Sequence, residues 1–363
     1  YGGKYYYNPA LTEVQTHLIA VVDEVVKNYD IDAIHFDDYF YPYKIKGEEF
    51  DDSESFKKFS DGMGLADWRR LNVNNFVKYC SYSIKKIKPW VQFGISPFGV
   101  WRNKSVDPKG SDTNSGQTNY DDLFADPMAW MEHSWVDYIL PQLYWSMDHR
   151  TASYTKLLKW WAENSINTAV YIGNGSYKIN TDSDKKWHIP SEIPNQIDIT
   201  RSYNNIGGNA FFSAKSFINR NKAVTELLLK NQYKYPALPT VVPNFRKIVM
   251  DVPTVYKVSN SNDSTTYAIN YPIKSKVRYV LVYAAKNSAK MNVNDPSQII
   301  DKIAFNEKNG NISIVIKNNN SEKNTNYALS FIDFYGNESE ATLLQTTAET
   351  KTPQSFLNNG NRQ

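Results

Sequence analysis

The chain has 363 residues, 41% of them hydrophobic, which is more than one ordinary domain needs and enough for two buried cores. Its net charge is only +3 and its lysines are interleaved with acids, which excludes the clustered basic face of a nucleic-acid-binding protein. No apolar run approaches the roughly 20 residues of a membrane-spanning helix, and a single cysteine, Cys80, excludes an internal disulfide.

Helical and strand patterns alternate over residues 1–235. Asn8 can cap a first helix that opens at Pro9, and a short strand is predicted over 31–36. Further strands are predicted over 91–96, 138–145, 169–173 and 209–213, each with a helix before it, and a helix over 215–231 closes the series. This alternation predicts a parallel sheet with right-handed crossovers, the class of α/β folds.

The composition changes after a proline-rich linker at 236–243. Asparagine and serine become abundant, and short alternating runs predict strands over 278–283, 311–317 and 327–333, with a turn at Gly336-Asn337. We therefore expect an all-β sandwich over 244–347 and a disordered tail over 348–363. Within the sandwich, Tyr327 is predicted to be a buried corner residue.

Polar and aromatic residues follow all five strands of the first region. Active sites of parallel barrels are built at the carboxyl ends of the strands, so these residues are expected to meet in one site. Tyrosine and tryptophan at such a position suit the apolar faces and hydroxyls of a sugar. The predicted substrate-binding residues are His35, Tyr39, Tyr41, Trp101, Arg102, Gln142, Tyr144, Trp145, Tyr171, Asn174 and Lys215.

Asp37 and Asp38 are the candidate catalytic residues. Side chains alternate along a strand, so His35 and Asp37 should point into the barrel while Asp38 turns over its mouth. Burial against aromatics and a like-charged neighbour raise the pKa of a carboxyl group, which is how a site keeps one protonated acid beside one ionised carboxylate. A helix cap or a solvated loop pair is the alternative. Because adjacent residues straddle a bond poorly, a second carboxylate could instead come from Asp121, Asp122 or Asp126.

Other chemistries lack their sequence patterns. The five histidines show no metal-binding spacing, so neither a metal site nor another cofactor is predicted. Gly173-Asn174-Gly175 lacks the lysine of a phosphate-binding loop, and no G-x-S-x-G motif occurs. Cys80 lies among apolar residues of a predicted helix and is expected to be a buried, inert thiol.

Four sequence blocks resemble a known family, glycosyl hydrolase-like family 10. They are DAIHFDDYFYP at 32–42, DWRR at 67–70 followed by Asn72-Val73, GISPFGVWRN at 94–103, and PQLYW at 141–145. The resemblance covers residues 1–235, and its long motifs recur in order. The β region is similar to the fibronectin type III module that is often appended in such proteins.

The resemblance implies a (β/α)₈ barrel, hydrolysis of glycosidic bonds, and export to the periplasm or cell surface through an upstream signal absent from this chain. Enterobacterial relatives act on peptidoglycan glycan strands stripped of their peptides, so a cell-wall polysaccharide is the expected substrate. Family members carry three strand–helix units before the segment that begins here. The five strands are therefore expected to be barrel strands four to eight, with strands one to three missing and roughly 100–150 further residues upstream.

Three functions remain open on the sequence. The first is a glycoside hydrolase that uses two carboxylates. The second is a glycan-binding protein that kept the cleft and lost the chemistry. The third, a metal-dependent deacylase, is disfavoured by the few histidines.

Overall fold

A computed structural model describes residues 1–218, 221–238, 241, 254–261, 264–270, 277–286, 290–305, 311–317 and 325–344. The chain divides into two compact units, the first built on Tyr1–Lys234 and the second on the strands that follow. The predicted tail at 348–363 and residues 239, 240, 242 and 243 of the predicted linker lie outside the described residues.

The first unit contains one parallel sheet of five strands in sequential order. Sequential parallel strands require a crossover between each pair, and the intervening helices supply it. The strands are β1 (Ala33–Phe36), β2 (Gln92–Ile95), β3 (Tyr138–Ile139), β4 (Ala169–Asn174) and β5 (Ile206–Phe211). The predicted α/β alternation with a parallel sheet is confirmed.

Most helices of the first unit bury an apolar stripe. The helices are α1 (Thr12–Asn28), α2 (Ser53–Phe59), α3 (Leu65–Ile87), α4 (Asn119–Asp122), α5 (Pro127–Glu132), α6 (Tyr154–Glu163), α7 (Glu192–Arg201), α8 (Lys215–Ile218) and α9 (Lys222–Lys230). Side chains of α1, α3, α5 and α6 form one buried cluster with strand residues such as Phe93 and Ile172. Side chains of α7 and α9 form a second buried cluster. Cys80 on α3 is buried, and burial raises the pKa of its thiol to about 12. Within the described parts of the chain, no helix has the length and apolarity needed to cross a membrane.

The inner face of the sheet is polar and aromatic below the strand ends. The ring of Tyr138 stacks on His35 with centroids 5.8 Å apart, and its hydroxyl lies 2.9 Å from Nδ1 of that histidine. The same ring occupies the space beside Gly94, where a Cβ would lie 2.0 Å from it, so only glycine fits on β2. Tyr171 on β4 meets Tyr138 edge-on. The parity prediction is thus confirmed for His35, while the neighbouring Phe36 stacks on Phe76 of α3.

Several predicted elements differ from the structure. Strand β5, predicted over 209–213, spans Ile206–Phe211. Helix α1 begins at Thr12, because Asn8 instead closes a turn by accepting the Ala10 amide. The predicted helix over 215–231 is two helices, since Asn221 has a φ of 56°, which no α-helix accommodates. Strand β3 ends at Ile139, two residues before Pro141, which has no N–H to donate.

The described strands of the second unit are β6 (Thr254–Asn260), β7 (Ser264–Asn270), β8 (Val277–Lys286), β9 (Ile299–Ala304), β10 (Asn311–Lys317), β11 (Thr325–Asp333) and β12 (Thr342–Leu344). They form two antiparallel sheets, with strand orders β10-β7-β6 and β12-β11-β8-β9. Buried residues from both sheets, including Ile269, Ile314, Val280 and Phe331, form one shared core, so the sheets face each other as a sandwich.

Of two predictions for residues of this unit, the turn at Gly336 agrees with the structure and the burial of Tyr327 does not. The predicted turn at Gly336 is present, with a φ of 82° and an amide that donates to the Asp333 carbonyl. The prediction that Tyr327 is a buried corner residue is wrong, because its side chain is only partly buried. The fully buried tyrosine is Tyr283 on β8, whose hydroxyl donates to Glu338 Oε1 at 2.6 Å.

Candidate active site

A cleft of about 440 Å³ opens at the carboxyl ends of the five parallel strands. Every strand contributes to its wall, because the loops after β1, β2, β3, β4 and β5 each supply at least one side chain. This is the edge where sites of parallel barrels are built. The lining residues are Asp37, Asp38, Tyr39, Tyr43, Phe98, Gln142, Tyr144, Trp145, Tyr177, Lys178 and Phe212.

The two carboxylates of the cleft follow β1 directly and lie in different environments. Asp37 is exposed, and its Oδ1 accepts hydrogen bonds from Gln142 Nε2 at 2.7 Å and from the Asp38 amide at 2.9 Å. Asp38 is only 3% exposed, and its Oδ2 accepts a hydrogen bond from the hydroxyl of Tyr43. One adjacent pair thus combines a solvated carboxylate with a buried one.

The difference in environment changes the acidity of Asp38. Its pKa is raised from the ordinary 3.8 to about 6, first of all because burial disfavours the charged form. The hydrogen bond from Tyr43 opposes this rise, and the negative charge of Asp37 adds to it. Burial of its ring raises the pKa of Tyr43, and the same contact with Asp38 adds to the rise. A carboxyl group with a raised pKa beside a second carboxyl group is a combination that acid–base catalysis uses.

The loop after β1 is held in place by a buried anchor. Tyr41 is 1% exposed and packs edge-on against Phe50 and Phe124 at 5.5 and 5.3 Å. The guanidinium of Arg69 lies over both Tyr41 and Phe124, and pairs with Asp52 through two hydrogen bonds of 2.9 and 2.6 Å. The prediction that Tyr41 contacts substrate is therefore wrong, since its side chain fixes the loop that carries Asp37 and Asp38.

Gln142, Tyr144 and Trp145 all reach the cleft from the segment after β3, as the strand-end argument predicted. Gln142 bridges two strand ends, because its Nε2 donates both to Asp37 and to the Ser96 carbonyl at 3.0 Å. Trp145 packs edge-on against Phe98, with ring centroids 5.5 Å apart. A Cβ at Gly99 would lie 2.4 Å from the Gln142 carbonyl oxygen, so the close approach of these two segments needs glycine there.

Several predicted substrate-binding residues lie elsewhere. Trp101 is 8% exposed and stacks on Trp160 of α6, and Arg102 is paired with Asp107 and Asp121 at 2.8 and 2.9 Å. Asn174 is fully buried and bonded to Gln196 and Asn209, both at 2.8 Å. None of these three side chains lines the cleft, which corrects the prediction for Trp101, Arg102 and Asn174. His35 and Tyr171 lie on the inner sheet face, and Lys215 is exposed at the start of α8, so none of the three lines the cleft.

The three candidates for a separate second carboxylate also have structural partners. Asp121 forms a two-pronged ion pair with Arg102, and Asp122 pairs with Lys44 at 2.5 Å. Asp126 caps α5 by accepting the Ala129 amide and also accepts from Trp101 Nε1 at 3.2 Å, while burial raises its pKa. None of these three carboxylates lines the cleft, and Asp37 and Asp38 are the carboxylates that do so among the described residues.

Sequence reasoning missed part of the cleft. Tyr43 lies within the aromatic run after β1 and Phe98 within a quoted motif, so proximity to a strand end was the available signal for both. The other missed residues are Tyr177, Lys178 and Phe212, which follow β4 and β5. Among the described residues, no group of three or more histidine, cysteine, aspartate or glutamate side chains is arranged to hold a metal ion.

Comparison with known proteins places these observations in a family. The model of a family described as Glycosyl hydrolase-like 10 matches residues 1–189, which include both aspartates and all the cleft residues up to Lys178.

Two relatives share this region. Glycosyl hydrolase YngK of Bacillus subtilis is 40% identical over 289 residues, which are 78% of this chain and 57% of that protein. Glycosyl hydrolase DigH of Escherichia coli K12 is 38% identical over 227 residues, 60% of this chain and 51% of that protein. The chain thus spans little more than half the length of either relative. Among solved structures, a calcium-binding mutant of beta-glucuronidase 2 from Bacteroides uniformis aligns with a TM-score of 0.37 at 10% identity, covering 94% of this chain and 37% of that one.

Proposed function

Because the chain belongs to the family Glycosyl hydrolase-like 10, we propose that it is a glycoside hydrolase that cleaves O-glycosidic bonds with Asp37 and Asp38. The observation that carries this proposal is the adjacent carboxylate pair in an aromatic cleft, one exposed and one buried with a raised pKa. Glycosidases use two carboxyl groups in different protonation states in this way.

Asp38 acts as the general acid. With a pKa of about 6 it holds a proton in mildly acidic solution, and it transfers that proton to the oxygen of the leaving sugar as the C–O bond breaks. Asp37 supplies the second carboxylate, as nucleophile or as base. Gln142 donates to one of its oxygens and so fixes its orientation toward the cleft.

The walls of the cleft suit a polysaccharide. Tyr39 is 74% exposed and Phe212 is 55% exposed, and such aromatic surfaces bind the apolar faces of sugar rings. We propose a bacterial cell-wall glycan as the substrate, with peptidoglycan glycan strands as the first candidate, and a place of action in the periplasm or at the cell surface.

The architecture proposed with this function is a segment of a (β/α)₈ barrel followed by a fibronectin type III-like module. Sequential parallel order, with helices between the strands, supports the barrel. A three-stranded and a four-stranded antiparallel sheet with one shared core support the module.

A hydrolysis panel tests the proposal. Wild type and the Asp37→Asn variant are incubated with peptide-free peptidoglycan glycan strands and other polysaccharides, and new reducing ends are measured. We expect hydrolysis by wild type, none by the variant, and no effect of a chelator. Binding without hydrolysis would instead identify a glycan-binding protein, and activity that a chelator abolishes would refute carboxylate catalysis.

A further inference from the structure

The positive charge of the cleft is concentrated at one point. Among the described residues that line it, Lys178 carries the only cation, and Asp37 and Asp38 carry the only carboxylates. The aspartates follow β1 and the lysine follows β4, three strand positions away, which is about 14 Å between the strand axes. Lys178 therefore enters the cleft from a different strand end than Asp37 and Asp38.

Lys178 belongs to a well-anchored turn. It ends a short 3₁₀ helix, Ser176–Lys178, whose Tyr177 amide donates to the Phe212 carbonyl at 3.0 Å and whose Lys178 amide donates to the Gly175 carbonyl at 3.0 Å. The ammonium group lies 3.1 Å from Asp182 Oδ2, and the side chain is 20% exposed. The ammonium group also lies 6.0 Å from the centre of the Trp187 ring. An ammonium group has three N–H donors, and Asp182 is its one carboxylate partner among the described residues.

Aromatic rings adjoin this cation on the same wall. Tyr144 and Phe212 stack with centroids 6.1 Å apart, and Tyr177 stands edge-on to both at 5.9 and 5.8 Å. Tyr177 and Phe212 are 46% and 55% exposed, so their faces are available to a sugar. These three rings and Lys178 line the same cleft.

We propose that Lys178 and these three aromatic residues form a subsite for a sugar that carries a carboxylate, and that Lys178 determines this specificity. The inference rests on the proposed function, because it assigns a substrate class to the same cleft. Lysine is a compact point charge, which suits an anion more than the directional pattern of neutral hydroxyls. Lys178 follows a different strand from Asp37 and Asp38, so we assign it to binding.

Ligand binding to the Asp37→Asn variant, which we expect not to hydrolyse glycans, tests the subsite. The ligands are an oligosaccharide with uronic acids, one with muramic acids, and the carboxyl-reduced neutral counterpart of each at the same length. Titration calorimetry should show at least one acidic ligand binding about tenfold more tightly than its neutral counterpart, as expected for a charge-assisted contact. High salt should weaken this preference.

Three further variants identify the residue responsible. Lys178→Gln should abolish the preference while neutral ligands still bind, and Lys178→Arg should retain it. Lys186→Gln is the matched control, since Lys186 lies in the same segment, pairs with Asp148 at 3.4 Å and does not line the cleft. Melting temperatures confirm that each variant is folded.

The outcomes separate this inference from the proposed function. A Lys178-dependent preference for either acidic ligand supports the subsite and shows which acid it takes. Equal binding of acidic and neutral ligands, or equal weakening of both by Lys178→Gln, would overturn it even if wild type hydrolyses glycans. If the preference is found but wild type hydrolyses nothing, only the proposed enzymatic activity fails.

Discussion

The hydrogen bond from Tyr43 to Asp38 predicts a shift in pH dependence when it is removed. If Asp38 is the general acid, activity falls as pH rises through its pKa of about 6, because the proton to be transferred is lost. The Tyr43 hydroxyl stabilises the ionised form and lowers this pKa. Tyr43→Phe should therefore move the alkaline limb of the profile to higher pH.

The size of the shift follows from the contact. A hydrogen bond to a charged group contributes about 1.5–3 kcal/mol, and the lower end applies because Tyr43 is 36% exposed and water partly replaces it. About 1.4 kcal/mol corresponds to one pKa unit. We therefore expect the alkaline midpoint of kcat/KM to rise by about one pH unit, from near 6 to near 7.

The assay measures kcat/KM on one glycan from pH 4 to 9, for wild type, Tyr43→Phe and Tyr39→Phe. Tyr39 is the control, because it lines the same cleft edge-on to Tyr43 and Asp38 accepts its hydrogen bond from Tyr43. A shift only in Tyr43→Phe supports the assignment. An unchanged or lowered midpoint in that variant, or the same shift in both, would refute the role of Asp38 as acid.

Three other substitutions have defined outcomes. Asp37→Asn should lower kcat at least about 100-fold without changing the melting temperature, because Asp37 is exposed; turnover close to wild type would contradict its assignment. Asp38→Asn should abolish hydrolysis and raise the melting temperature at pH 7.5 but not below pH 4. The sign follows from the raised pKa of Asp38 in the folded protein. Below the ordinary value of 3.8, Asp38 is protonated in the folded and the unfolded chain, and as pH rises through about 6 the folded wild type loses stability because its buried carboxyl group ionises. Asparagine does not titrate, so the variant keeps its stability. Asp52→Ala should lower the free energy of unfolding by about 3–5 kcal/mol in denaturant titrations, because it leaves the buried guanidinium of Arg69 without its carboxylate partner. A loss below about 1 kcal/mol would show that the pair does not anchor the loop.

The position of Asp37 and Asp38, the proposed catalytic pair, was predictable from the sequence. An apolar run that ends in Asp37-Asp38, in a chain where helix and strand patterns alternate, places both residues at the carboxyl end of a parallel strand. Strand parity then separated His35, on the inner face, from Phe36, against the helices. Such periodic signals are local and reflect which side of an element is buried, so one sequence is enough to read them.

Which strand-end residues enter the cleft was decided by tertiary packing. Tyr39 and Tyr41 are two positions apart in one aromatic run, yet one is exposed at the cleft and the other is buried against Phe50 and Arg69. Their residue type and spacing are the same, and only the docking of the loop on α3 distinguishes them. The sequence alone therefore could not distinguish the tyrosine that lines the cleft from the tyrosine that fixes the loop.

The charged residues also show that sequence alone does not reveal which side chains line the cleft. Arg102 follows a strand as a binding residue should, but Asp107 and Asp121 pair with it in the folded chain, while the unselected Lys178 lines the cleft. The sequence by itself determined the fold class, the two units and the catalytic candidates, because burial patterns and strand ends are local properties. Only the tertiary structure decided which charges pair with each other and which face the cleft, because partners distant in sequence compete for each charge.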